Sequence, residues 1–217
     1  MPAAIGSFPH RQRCLHDRAD HHATVRSGLS IRISSPATDV ASIYTRCFNI
    51  PYQTGEDWHT CHGENFLIWR MRNMMIKKDM ERARSGEMLA QTHRPYLVEL
   101  LKSAEALMDR IPKDRQAFYE SHVLTPIRIH LHLLGILEHY ANAMIHRDAS
   151  QAELAVQGFD SLFDALHRVE TGKWAAWYFG ECLAGVEENR DYARQLLAEL
   201  RGEPAPPVRK ETGYLDI

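Results

Sequence analysis

From residue 63 to residue 201, apolar side chains recur every three or four positions, the period of helices that bury one face. Residues 64–84 carry two apolar stripes, Leu67, Met71, Met74 and Met75 on one and Phe66, Trp69, Ile76 and Met80 on the other, the mark of a helix packed between neighbours. Ser85-Gly86 weakens this pattern. A second helix is predicted over 87–110, with Pro95 either kinking it or opening a new helix in its first turn, and with Leu97, Leu100 and Ala104 on its buried face. The longest and central helix is predicted over 114–147, capped by Asp114 and bent at Pro126; its wide apolar arc runs from Val123 through Leu133 and Leu137 to Ile145. Asp148-Ala-Ser150 supplies a short connection and a cap. A single stripe of Ala152, Val156, Phe159, Phe163 and Leu166 then runs to Thr171-Gly172, and two shorter helices are predicted over 173–184 and 187–200. The expected fold is all-α, an antiparallel helical bundle of about five to seven helices.

The two ends differ from this middle. Residues 1–62 are expected to form a largely irregular extension, broken at Pro9 and at Ser34-Ser35-Pro36, with one short helix over 39–48 capped by Asp39. Residues 202–217 form a Pro-rich tail that ends on Tyr214-Leu215-Asp216-Ile217 and either straps onto the bundle or leads into further chain. No internal repeat stands out.

Composition narrows the partners. The 217 residues are 44% apolar and 25% charged, with a formal net charge of -2, so neither nucleic acid nor an anionic membrane surface is implied. No apolar run reaches the roughly 20 residues of a membrane span. The first residues mix Arg11, Arg13 and Arg18 with Asp17 and Asp20 and hold no apolar signal core, which makes a reducing, cytoplasmic setting the default expectation. Cys14, Cys47, Cys61 and Cys182 form no Cys-x-x-Cys pair.

The 13 histidines invite a test for metal. His132, His139 and His146 share one face of the central helix with Ser121, Thr125, Arg128 and Asn142, but residues seven apart stand about 10 Å apart along the axis. Two ligands of one ion from one helix are normally three or four apart. A polar seam between helices is therefore the expected role. His130 falls within the apolar arc, where a neutral, hydrogen-bonded imidazole is expected, and His122 lies at its edge. Asp160, Asp164 and His167, with Glu153 nearby, have the spacing of divalent-ion ligands, and also the spacing of an ordinary polar face. His59, Cys61 and His62 precede a predicted helix start without a second ligand pair. Trp174, Trp177, Tyr178 and Glu181 share a helical face that suits a sugar, a partner surface or a core. No dinucleotide-binding glycine motif, phosphate-binding lysine loop, nucleophile elbow or His-Glu-x-x-His is present.

The run Glu64-Asn-Phe-Leu-Ile-Trp-Arg-Met-Arg-Asn73, with Gly172-Lys-Trp-Ala-Ala-Trp-Tyr178, resembles helical regions near the C-terminal ends of large bacterial glycoside hydrolases of the xylan α-glucuronidase type. Reacting carboxylates in such enzymes lie on a separate domain, so the resemblance implies a non-catalytic accessory domain and carries no catalytic residue over. The expected function is an accessory or interaction domain that needs no cofactor and packs against another domain or subunit, with Trp174, Trp177, Tyr178 and Glu181 turned toward carbohydrate. The alternative is a metal-dependent enzyme within the bundle, its divalent ion held by His132, His139, Asp160, Asp164 and His167.

Overall fold

A computed structural model describes residues 35–48, 50, 63–168 and 185–208. Within these the fold is all-α: α1 (Pro36–Phe48), α2 (Gly63–Lys77), α3 (Met80–Glu105), α4 (Lys113–Tyr119), α5 (Thr125–His146), α6 (Ala149–His167) and α7 (Val186–Arg201), with a 3-10 turn at Met108–Arg110. A π-helical turn, Glu120–Leu124, joins α4 to α5, so the two form one rod. Pro126 explains that turn. A proline inside a helix offers no N–H and crowds the preceding turn, and the wider π geometry, closed by Thr125 N–H on the Glu120 carbonyl, takes up the misfit.

The break between the first two long helices falls at Lys78-Asp79 instead of Ser85-Gly86. Asp79 accepts the backbone N–H groups of Glu81 and Arg82 (both 3.0 Å), starting α3 there. The helix then runs through Gly86 and Pro95 to Glu105. Gly86 is a packing residue: a Cβ there would stand 3.0 Å from Leu137 Cδ1. Two predicted caps move as well. Pro112, with no side-chain hydrogen bond, precedes α4 while Asp114 lies in its first turn, and α1 starts at Pro36, where Ser35 Oγ accepts Thr38 N–H and Asp39 pairs with Arg110 (2.9 Å).

Helix α5 is central, as its wide apolar arc predicts. It packs against α3 on one side and α6 on the other, with α2 and α7 crossing its flank. Gly158 allows a close approach to α6: a Cβ there would lie 2.7 Å from Ile136 Cγ1. Leu133, Leu134, Ile136 and Leu137 are fully enclosed, and Phe159 of α6 and Phe66 of α2 are fully buried in the same core. Truncating a phenyl ring of this kind to alanine costs about 3–5 kcal/mol. Helix α7 buries Leu196 and packs Tyr192, Leu197 and Leu200 against the core, and its buried face also holds Val186, Ala193 and Ala198 together with Glu188, Asn189 and Asp191. Asn189 donates to the Ile68 carbonyl (3.1 Å), and Glu188 receives Arg72 (3.2 Å) and the Tyr192 hydroxyl (3.2 Å), so a polar seam joins α7 to α2. No described helix is long and apolar enough to cross a membrane.

Candidate functional site

Three helices end around one cavity, and they end in the same way. In a Schellman motif a left-handed residue, usually glycine, follows the helix, and the N–H of the next residue closes back on the last turn. Helix α7 uses Gly202 (φ 70°), with Glu203 N–H on the Ala198 carbonyl (2.9 Å). Helix α2 uses Lys78 (φ 47°), with Asp79 N–H on Met74 (3.2 Å), and α5 uses Arg147 (φ 55°), with Asp148 N–H on Ala143 (3.3 Å). Lys78 and Arg147 are the non-glycine residues with positive φ among the described residues. A side chain in that region is strained relative to glycine, yet both positions carry long cations.

Both go to one carboxylate. Lys78 Nζ donates to Glu199 Oε2 and Arg147 Nη1 to Glu199 Oε1, each at 2.7 Å. These hydrogen bonds hold the Glu199 carboxyl below its usual range. In each corner the following aspartate, Asp79 or Asp148, caps the next helix. The corners are echoes in sequence, Met75-Ile-Lys-Lys-Asp79 and Met144-Ile-His-Arg-Asp148, a short repeat that hydrophobic periodicity does not register. Met75 and Met144 both reach the cavity.

The cavity measures about 550 Å³, within the roughly 300–1,000 Å³ of small-molecule sites. Its wall is Met75, Met144, Ile145 and Leu196, with Met80 nearer the surface, and the ion-paired Lys78, Arg147 and Glu199 stand around it. The first tail residues border it too: Gln195 Nε2 donates to the Pro206 carbonyl (2.8 Å), while Glu203 and Ala205 contribute to the lining. Tyr140 is only 4% exposed, yet its hydroxyl has no hydrogen-bond partner among the described residues. Burial, then the nearby Glu199 charge and Tyr192, push its ionisation far above the usual phenol range, so it is a neutral donor.

The predicted site residues lie elsewhere. His139 donates from Nδ1 to the Gln151 carboxamide oxygen (2.9 Å), tying α5 to α6 as a seam residue would. His132 is half-buried, and burial, followed by the charges of Arg128 and Arg168, lowers its pKa. Asp160 pairs with Arg190 (3.4 Å), Asp164 is exposed, and His167 lies against the Phe163 ring at 6.5 Å. Among the described residues no group of three or more His, Cys, Asp or Glu side chains gathers as a metal site. His130 is buried, as its place in the arc implies, and His122 bonds Ser121 Oγ (2.8 Å) while stacking on Phe118 at 4.0 Å. Trp174, Trp177, Tyr178, Glu181, His59, Cys61 and His62 lie outside the described residues. Compared with protein-family models, curated proteins and solved structures, the chain matches none.

Proposed function

We propose that this chain is a non-catalytic helical accessory domain that works by binding a small amphipathic molecule in the cavity between α2, α5 and α7. Tyr140, a side chain only 4% exposed that lines the cavity, carries the reading, because its hydroxyl is a hydrogen-bond donor set in that wall. A ligand oxygen in the cavity would accept a hydrogen bond from that hydroxyl. The wall supports the same reading. Thioethers of Met75, Met80 and Met144 adapt to ligands of different outline, and the neighbouring charges of Lys78, Arg147 and Glu199 are already paired with one another. In this account the accessory role expected from the sequence is served by the cavity.

Saturation-transfer NMR with butylbenzene tests the proposal. A saturable signal that benzylacetone competes away is the expected result. Absence of saturable binding by either compound would remove the proposal.

A further inference from the structure

We propose that the cavity selects a neutral ligand, an apolar body bearing one accepting oxygen such as a ketone or an alcohol, and that Tyr140 donates the hydrogen bond that orients it. The inference rests on the binding role proposed above and adds the chemistry of the ligand. The charges around the cavity are already matched. Each Glu199 oxygen already receives a cation at 2.7 Å, and Lys78 and Arg147 meet on that one group. A ligand carboxylate would have to displace Glu199 or lie beside it and Glu203. A ligand ammonium would come beside Lys78 and Arg147. Either one competes with a formed pair or adds a like charge beside it, a modest cost at side chains this exposed, and neither cost falls on a neutral molecule.

The hydrogen-bond donors of the wall point the same way. Among the polar side chains of the wall, the Tyr192 hydroxyl is spent on Glu188 (3.2 Å) and the Gln195 amide on the Pro206 carbonyl (2.8 Å). That leaves the Tyr140 hydroxyl as the donor beside the thioether and aliphatic part of the wall, while the remaining N–H groups of Lys78 and Arg147 belong to largely exposed side chains. Within that apolar part of the wall, one donor matches one oxygen. A sugar, with a hydroxyl on almost every carbon, would bury several polar groups against Met75, Met144, Ile145 and Leu196 without partners, an arrangement that proteins avoid. The neutral state of Tyr140 has the same consequence: it donates to a carbonyl or hydroxyl oxygen throughout the physiological range.

Dissociation constants of four probes sharing a phenylalkyl body test this on the full chain: benzylacetone, butylbenzene, hydrocinnamate and phenylpropylammonium. Benzylacetone is expected to bind tightest. In Tyr140→Phe its affinity should fall about fivefold, the worth of one net neutral hydrogen bond, while butylbenzene binds as before. That substitution removes a hydroxyl without a partner among the described residues, and the ranking of head groups on the unmodified chain stands whether or not the variant folds. A charged probe binding tightest, or benzylacetone unaffected by Tyr140→Phe, would overturn the assignment while leaving the cavity a binding site. No saturable binding by any probe would overturn both.

Discussion

Three helical glycines beside or within the central helix should respond to alanine with different signs. At Gly135, inside α5, a Cβ would meet no atom within 4 Å, so Gly135→Ala gains the helix-propensity difference alone, about 0.8–1.0 kcal/mol. At Gly158 the same Cβ would stand 2.7 Å from Ile136 Cγ1 and 3.7 Å from its Cδ1. Cγ1 is the first atom beyond Cβ of a β-branched side chain on the best-packed helix, so relief requires an off-rotamer turn or a shift of α6 away from α5. Overpacking of this kind costs about 1–3 kcal/mol. Less the same propensity gain, Gly158→Ala should lose about 1 kcal/mol. The gap of about 2 kcal/mol between the two variants corresponds to roughly 4–8 °C in Tm for a chain of this size. Gly86→Ala should fall between them, because its contact at 3.0 Å is with the mobile end of Leu137. Thermal and urea unfolding of the three variants measure the order, and Gly158→Ala on an Ile136→Ala background should lose little or nothing further. If Gly158→Ala proves as stable as Gly135→Ala, the close contact of α5 with α6 is not as described.

Asp79→Ala should cost about 0.5–2 kcal/mol in urea unfolding, the worth of a lost cap, because both cap hydrogen bonds that start α3 come from that carboxylate. Glu199 adds a pH dependence. Its folded pKa is depressed by Lys78 and Arg147, so its contribution is present above the ordinary carboxylate range and lost as pH falls through the folded value. Tm of Glu199→Gln should therefore converge on that of the unmodified chain as pH falls below about 4. A difference that stays constant between neutral and acid pH would contradict the pairing.

Helices proved legible where apolar spacing was unambiguous. The stripe of α6 and the arc of α5 placed both helices and identified α5 as central, because side chains buried on several sides leave a wide arc in any one sequence. Breaks were less legible. Ser85-Gly86 reads as a weak point by propensity, yet Gly86 serves a close approach to Leu137 that depends on a helix fifty residues away. The real break, at Lys78-Asp79, has no glycine to announce it, because a lysine takes the left-handed position. The polar face of α7 was invisible for a related reason: Asn189 and Glu188 are buried against backbone and arginine partners on α2, and pattern alone treats such residues as solvent-facing. The cavity was missed because its parts come from the ends of three helices. The one sequence signal for it, the paired Met-Ile-x-basic-Asp corners, is too short and too separated to register as periodicity.

The claim that the cavity is the binding site can be tested by its own methionines. In the chain labelled with carbon-13 at the methionine methyls, Met75, Met80 and Met144 line the cavity, whereas Met88 is 62% exposed and does not. On titration with benzylacetone the account predicts saturable shifts at Met75, Met80 and Met144 that share one dissociation constant, with Met88 unmoved. Shifts centred on Met88, or no saturable shift at the three cavity methyls, would contradict it.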